Sequence, residues 1–170
     1  LAVPTSEQDA PLIVLVVGET VRAANFGLSG YARQTTPELN LLKAQGDLVY
    51  FSDVSSCGTS TQTSLPCMFS HLGREAFQSR KQEFENLLDV LQHAGYAVLW
   101  IDNQSGCKDQ CARIPNINTS NLKLPEHCEA GECRDTVMLS QLEGALAKLP
   151  AERRARGTVV VMHQMGSHGP

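Results

Sequence analysis

The 170-residue chain has the composition of one soluble globular domain, with 42% hydrophobic residues, 19% charged residues and a net charge of −4 at pH 7. Its longest basic run is ERRAR at 152–156, so it lacks the clustered Lys and Arg that a nucleic-acid partner requires. Its longest apolar run, PLIVLVVG at 11–18, is shorter than the roughly 20 residues of a membrane-spanning helix. Composition therefore argues against a nucleic-acid-binding, fibrous or disordered protein.

The first half of the chain contains two predicted strands and a predicted helix. A continuous aliphatic run predicts a strand at Leu12–Val17, of the kind that is buried on both faces of a parallel sheet. Helical spacing follows at 37–44, where Pro suits the first helical position. A second short strand is predicted at 48–51. The segment SLPCMFSHL, after a run rich in Ser and Thr, is compatible with a helix.

The second half repeats the alternation of strand and helix. An amphipathic helix is predicted at 84–94 and ends at Gly95, and a strand follows at 96–101. A further helix at 135–149 precedes the last strand, at 158–162. This alternation predicts an α/β fold, an α/β/α sandwich with a mostly parallel sheet. Residues 103–134 have no period and form a long insertion rich in Asn, Pro and Cys.

Six cysteines fall into three close pairs, and local pairing is the simplest of their 15 possible connectivities. A zinc site is the alternative, but C-x3-C and C-x4-C units match the usual zinc-ligand spacing poorly. Disulfides would place the domain in an oxidising compartment, periplasmic or extracellular. The pairs are Cys57 with Cys67, Cys107 with Cys111, and Cys128 with Cys133.

Chemically active side chains follow the predicted strands at the edge where ligands of open α/β sheets collect. A carboxylate, a hydroxyl cluster and histidines together indicate a metal-assisted nucleophilic site. Each also has a plainer explanation, such as a carboxylate at a helix start or a hydroxyl that caps a helix. The residues that follow strands are Glu19, the hydroxyl cluster at 59–64, Asp102, Asn103, Lys108, His163 and His168.

The sequence favours a structural role for His163 and leaves the nucleophile open. His163 lies inside or just after an apolar strand, so we interpret it as a core histidine with its hydrogen bonds satisfied. The hydroxyl count alone does not select a nucleophile among five candidates. They are Thr59, Ser60, Thr61, Thr63 and Ser64.

Several motifs resemble the periplasmic catalytic domain of bacterial lipid A phosphoethanolamine transferases, a group that includes the mobile colistin resistance enzymes. The resemblance spans nearly the whole chain and rests on VVGETVRAANFGLSGYARQTTPEL, SCGTSTQTSLPCMFS, NLLDVLQHAGY, SGCK, LPEHCEAGECRD and HQMGSHGP. It implies an alkaline-phosphatase- or sulfatase-like fold and a zinc-dependent transfer of phosphoethanolamine. In that reaction a threonine takes the group from phosphatidylethanolamine and passes it to lipid A, which weakens polymyxin binding.

The resemblance also implies roles for individual residues. Thr61 would be the nucleophile and a zinc ligand, and Glu19 a zinc ligand. His168 would bind the substrate phosphoryl group or a second zinc. Lys108 would contact substrate, with Thr59 and Ser60 as further pocket candidates. The implied location is the periplasmic face of the bacterial inner membrane, reached through N-terminal membrane helices.

One departure from the family pattern concerns the metal site. The family completes its main zinc site with an Asp-His pair in a DHG motif, which does not occur in this chain. We therefore expect residues 1–170 to be the N-terminal part of one periplasmic catalytic domain, inactive and weak in zinc binding without the rest. Two alternatives stay open: a phosphatase- or sulfatase-like hydrolase, and a non-catalytic module that binds lipid head groups.

Overall fold

The computed structural model describes residues 10–168. Six strands and six helices make up the described part of the chain, with two short 3-10 turns at Ala23–Asn25 and Gly27–Ser29. The strands are β1 (Leu12–Val17), β2 (Ala97–Asp102), β3 (Asn116–Asn118), β4 (Cys128–Glu129), β5 (Glu132–Cys133) and β6 (Thr158–His163). The helices are α1 (Pro37–Gln45), α2 (Thr61–Met68), α3 (Arg74–Ser79), α4 (Leu87–His93), α5 (Thr136–Ala147) and α6 (Ala151–Arg154).

The main sheet has four parallel strands in the order β1-β6-β2-β3. Strand β6, the last in sequence, lies between β1 and β2, so that Val17 and Asp102 both pair with His163. The carboxyl ends of these three strands therefore meet at one edge of the sheet, as parallel alignment requires. Strands β4 and β5 form a separate antiparallel hairpin.

Two apolar clusters cover the two faces of the sheet, because successive side chains of a strand point to opposite sides. On one face, residues of β2 and β6 pack against α5, and on the other they pack against α2 and α4. The first cluster includes Leu99, Ile101, Val137, Met138, Val160 and Met162. The second includes Leu65, Phe69, Leu88, Val98, Trp100 and Val161. The predicted α/β/α sandwich with a parallel sheet is confirmed.

Two expectations about the first half of the chain are wrong. Among residues 10–168, strand β1 pairs only with β6 and is an edge strand, so its side chains are not buried on both faces: Leu12 is 56% and Val16 58% exposed. The segment at 48–51 is not a strand. No strand of the described chain pairs with it, and Val49 and Phe51 are 79% and 73% exposed.

Helix α4 begins later than its hydrophobic pattern suggests. The Asn86 side chain accepts hydrogen bonds from the Leu88 and Asp89 amides, and the Asp89 carboxylate accepts one from the Asn86 amide. This reciprocal capping box starts the helix at Leu87 rather than at residue 84.

The three disulfides pair as predicted, and two of them lie in the long insertion. There they hold segments with little regular structure, apart from the short β3 and the β4–β5 hairpin. Within the part of the chain that the structure describes, no helix is both long enough and apolar enough to span a membrane.

Candidate active site

The candidate site lies at the sheet edge where β1, β2 and β6 end. Glu19 follows β1 by two residues, while Asp102 and His163 are the last residues of β2 and β6. Helix α2 begins at Thr61, on the same side. Four segments far apart in sequence thus supply a hydroxyl, two carboxylates and an imidazole to one place.

The central contact of the site joins Glu19 and Thr61. The Thr61 hydroxyl donates a hydrogen bond of 2.8 Å to Oε2 of Glu19, across 42 residues of sequence. The amide and hydroxyl of Thr20 both donate to Oε1 at 3.1 Å. Burial raises the pKa of Glu19, but the bonds from Thr61 and Thr20 outweigh it, so the pKa lies below its ordinary value. Glu19 is therefore ionised at neutral pH and aligned with the Thr61 hydroxyl.

Thr61 lies at the first turn of α2, where the helix dipole places partial positive charge. Ser60 precedes the helix in extended conformation, and its hydroxyl bonds to the Thr63 hydroxyl at 3.1 Å instead of capping the backbone. Gly58 approaches the same side chain closely, since a Cβ there would lie 2.9 Å from Cγ2 of Thr63. The start of α2 is therefore tightly packed and suited to an anionic phosphoryl group.

A disulfide encloses this nucleophile loop. Cys67 is buried within α2, and its partner Cys57 lies in the loop before the helix. The Cys57 carbonyl accepts a further bond of 3.0 Å from the Gln78 side chain in α3. Residues 58–66, including Thr61, thus lie inside a closed covalent loop that is attached to the core at Cys67.

Asp102 is saturated with hydrogen bonds and orients His163. Its carboxylate accepts bonds from the Trp100 indole at 2.9 Å and from the Gln104 amide at 2.7 Å, and lies 3.2 Å from Nδ1 of His163. Burial raises the pKa of Asp102, but the bonds from His163 and Trp100 outweigh it and leave the pKa below its ordinary value. Asp102 is therefore an anion held against Nδ1 of His163.

His163 is fully buried, as interpreted from sequence, but only one of its ring nitrogens is satisfied. Within the described residues, Nε2 has no hydrogen-bond partner and lies 3.8 Å from Oε2 of Glu19. The same carboxylate oxygen therefore faces both the Thr61 hydroxyl and the imidazole. A buried ring nitrogen left open beside a carboxylate is unusual for a purely structural histidine.

The loop after β6 brings His168 to the same edge. Within this loop, the Gln164 amide donates to the Val17 carbonyl at 2.9 Å, and the Ser167 amide donates to the Glu19 carbonyl at 3.2 Å. Gly166 packs so closely that a Cβ on it would lie 2.6 Å from the Glu19 carbonyl oxygen. His168, the next residue after Ser167, is exposed at this edge.

The remaining predicted substrate residues lie beside the start of α2. Lys108 lines a cavity of about 530 Å³ together with Gln62 and Thr63. Its ammonium group donates to the carbonyl and hydroxyl of Ser105 at 3.2 and 3.1 Å. Thr59 and Ser60 are exposed on the loop that leads into α2. The structure therefore brings Glu19 and Thr61 into contact and places the other candidates around them.

Comparison with known proteins assigns the chain to a family. The model of the family described as Sulfatase matches residues 11–170. The chain belongs to the sulfatase family. This sulfatase-family chain is 45% identical over 166 residues to phosphoethanolamine transferase EptA of Escherichia coli strain K12, an alignment that covers 97% of the chain and 29% of EptA. It is 39% identical over 166 residues to phosphatidylethanolamine transferase Mcr-1 of Escherichia coli, covering 94% of the chain and 29% of Mcr-1.

Solved structures agree with this family assignment. The soluble domain of lipooligosaccharide phosphoethanolamine transferase A from Neisseria meningitidis superposes with a TM-score of 0.79 at 46% identity, over 95% of this chain and 46% of that one. The C-terminal periplasmic domain of EptC from Campylobacter jejuni gives 0.69 at 38% identity, over 95% and 47%. The sulfatase-family chain covers 29% of the length of EptA and of Mcr-1, so it spans less than a third of these curated relatives.

The donor set of the sulfatase-family chain fits part of a zinc site. The carboxylate of Glu19 and the hydroxyl of Thr61 are oxygen ligands of a type that zinc accepts, and they are already in contact. Among residues 10–168, no three His, Cys, Asp or Glu side chains form a group that could hold a metal ion. A catalytic zinc normally has three protein ligands, so an ion held by Glu19 and Thr61 needs a third ligand besides these two.

Sequence reasoning missed two features of this site. It left His163 as an ordinary core residue, and it treated Asp135 only as the start of a helix. The signal for His163 was its position at the end of one predicted strand, as Asp102 stands at the end of another. Asp135 lies in the quoted motif LPEHCEAGECRD, next to the last cysteine pair. Neither signal reveals which atoms these side chains face.

Proposed function

We propose that the protein containing this chain transfers phosphoethanolamine from phosphatidylethanolamine to lipid A through a covalent intermediate on Thr61. The observation that carries the proposal is the hydrogen bond from the Thr61 hydroxyl to the ionised Glu19 at the start of a helix. The similarity to enzymes named phosphoethanolamine transferases supplies the group transferred. The substrates and location follow from those relatives and belong to the proposal.

In the first step Oγ1 of Thr61 attacks the phosphorus of phosphatidylethanolamine. The bond between phosphorus and the diacylglycerol oxygen breaks, and that oxygen takes up the proton that the Thr61 hydroxyl loses. The hydrogen bond to Glu19 aligns the Thr61 hydroxyl and directs its proton away from the attacking lone pair. The first turn of α2 stabilises the negative charge that develops on the phosphoryl oxygens.

In the second step a phosphate oxygen of lipid A attacks the same phosphorus. The bond to Oγ1 of Thr61 breaks, and the threonine oxygen takes a proton from the attacking phosphate group or from water. The cavity lined by Gln62, Thr63 and Lys108 offers room for substrate next to this residue, and the Lys108 ammonium suits a phosphate. Glu19 and Thr61 would hold a zinc ion, which when bound lowers the pKa of the hydroxyl and offsets phosphoryl charge.

The product explains why this activity would matter. Phosphoethanolamine adds an ammonium group to lipid A and reduces its net negative charge, so that cationic polymyxins such as colistin bind more weakly. We place the reaction at the periplasmic face of the inner membrane, where three disulfides are stable. The periplasmic origin of the EptC structure supports this location.

Mass spectrometry tests the covalent intermediate. The natural protein is incubated with phosphatidylethanolamine and without lipid A, and peptides are mapped for a phosphoethanolamine adduct. We expect the adduct on Thr61, its loss in Thr61→Val, and its retention in the control Ser64→Ala, which removes a hydroxyl from the same helix. An adduct on another residue, or none on the wild-type protein, would refute the role of Thr61.

The same experiment with lipid A identifies the acceptor. A transferase modifies lipid A, whereas a phosphatase- or sulfatase-like hydrolase releases free phosphoethanolamine into water. Binding of phosphatidylethanolamine with neither product nor adduct would favour the non-catalytic binding module. Treatment with a chelator should abolish adduct formation, and zinc should restore it; full activity in metal-free protein would contradict the metal requirement.

A further inference from the structure

Asp135 connects three segments around the candidate site through hydrogen bonds to its carboxylate. Oδ1 accepts a bond of 2.7 Å from the Met165 amide and one of 3.0 Å from the Asn103 side chain. Oδ2 accepts a bond of 3.0 Å from the Gly166 amide. Both oxygens of the carboxylate are thus directed at the loop that follows β6.

The position of Asp135 makes this orientation informative. The residue immediately precedes α5 at the N-cap, where an Asp side chain usually accepts hydrogen bonds from the first turn of its own helix. In this structure the side chain makes no capping bond. Its carboxylate accepts hydrogen bonds from the loop after β6 and none from its own helix. Capping of α5 therefore does not explain why an Asp occupies this position.

Hydrogen bonds and a disulfide hold the residues that contact Asp135. The fully buried Asn103 donates to the Cys133 carbonyl at 2.9 Å as well as to Asp135. Cys133 is bridged to Cys128 across the β4–β5 hairpin. The Thr119 hydroxyl donates to the Asn103 side chain at 3.2 Å. The carboxylate is therefore held in place by the end of β2 and by a disulfide-bridged hairpin.

The other side of the loop contacts Glu19. Gly166 receives support from Asp135 and lies against the Glu19 backbone, while the Ser167 amide bonds to the Glu19 carbonyl. Residues 165–167 are thus clamped between Asp135 and Glu19, and His168 follows directly. Without the carboxylate, the Met165 and Gly166 amides would lose their acceptor.

We propose that Asp135 is a positioning residue that holds the loop carrying His168 against the Glu19 segment. It contacts no reacting atom itself. The proposal rests on the proposed function in one respect, namely that Glu19 serves the transfer reaction; the role of His168 is the one that the family resemblance implies. The clamp itself follows from the hydrogen bonds alone, so it is measurable whatever the substrate.

Two substitutions and a control test the clamp in the natural protein. Asp135→Ala removes both acceptors, and Asp135→Asn keeps one carbonyl oxygen but turns an NH2 group toward an amide donor. Glu132→Gln removes one negative charge from the neighbouring, exposed end of the hairpin. We expect kcat/KM for the transfer to fall about tenfold or more in Asp135→Ala, less in Asp135→Asn, and about twofold at most in Glu132→Gln.

Hydrogen exchange separates positioning from loss of fold. Amides 165–167 should exchange faster in both Asp135 variants, while amides of β2 and β6 keep their wild-type protection. Uniformly faster exchange, or unchanged exchange at 165–167, would overturn the proposal. If wild-type protein transfers no phosphoethanolamine, the proposed function fails, but the exchange pattern still decides whether Asp135 holds the loop. Faster exchange with kcat/KM equal to that of Glu132→Gln would overturn the catalytic consequence.

Discussion

Replacing Gly166 by alanine should separate the loop after β6 from the Glu19 segment. Gly166 has φ +60, a left-handed conformation, and a Cβ built on it would lie 2.6 Å from the carbonyl oxygen and 3.0 Å from the amide nitrogen of Glu19. Both close atoms belong to the backbone, so no side-chain rotation relieves the overlap. The Gly166→Ala variant must shift one segment relative to the other.

The structure sets the size of this shift and of its effect. Ordinary contacts of a Cβ begin at 3.4 Å, so the loop must move by about 0.8 Å from the Glu19 oxygen, the difference between 3.4 and 2.6 Å. A misplacement of about 1 Å near a reaction centre lowers activity by up to about a hundredfold. We therefore expect kcat/KM to fall between about tenfold and a hundredfold in Gly166→Ala.

A matched control isolates the effect of the close contact. Gly131, in the β4–β5 turn, also has a left-handed conformation at φ +89, but no atom of residues 10–168 lies within 4 Å of its Cβ position. Gly131→Ala therefore carries the left-handed strain of about 1–2 kcal/mol without the contact. Steady-state transfer of phosphoethanolamine and thermal unfolding are measured for both variants.

The comparison between the two variants decides the outcome. We expect both to lose the stability that the left-handed strain costs, Gly166→Ala to lose more because of the backbone overlap, and only Gly166→Ala to lose most of its activity. Equal kcat/KM in the two variants would show that the contact between Gly166 and Glu19 does not serve the reaction. A Gly166→Ala protein with wild-type activity would refute the placement of the loop at the site.

Three further changes test other parts of the structure. Replacing Cys57 and Cys67 by serine should lower the free energy of unfolding by about 2.7 kcal/mol for a sequence separation of 10; a loss under about 1 kcal/mol in urea titrations would contradict this. Burial raises the pKa of Asp89, but the hydrogen bonds from Arg113 and Asn86 have the larger effect, so the pKa lies below its ordinary value. Ionised Asp89 therefore stabilises the fold above about pH 4, and this contribution is lost as the pH falls below that value. Below about pH 4, the urea midpoint of Asp89→Asn should vary less with pH than that of the wild type. Equal pH dependence of the two midpoints would refute this role of Asp89. In the natural protein, His163→Gln should weaken zinc binding by about tenfold or more in calorimetry, because the ring lies 3.8 Å from Glu19, the carboxylate that we propose as a zinc ligand. An unchanged Kd would refute this.

In the sheet, the local sequence pattern predicts where strands lie but not how they pair. Aliphatic runs correctly located β1, β2 and β6, since a buried parallel strand needs continuous apolar residues. The same pattern misjudged β1, because whether a strand is central or at an edge depends on its partners. The segment at 48–51 has strand composition, but composition does not supply the neighbouring strand that a ladder requires.

By itself, the sequence determined the fold class, the three local cysteine pairs and a short set of candidates that included Glu19 and Thr61. These properties depend on residues near one another in the chain, or on a continuous sequence motif shared with a family. Only the tertiary structure decided that Thr61 reaches Glu19 across 42 residues, that His163 leaves one nitrogen open beside it, and that Asp135 turns from its own helix to the loop after β6. The reason is that each of these contacts exists only after β6 has inserted between β1 and β2 and brought their ends to one edge.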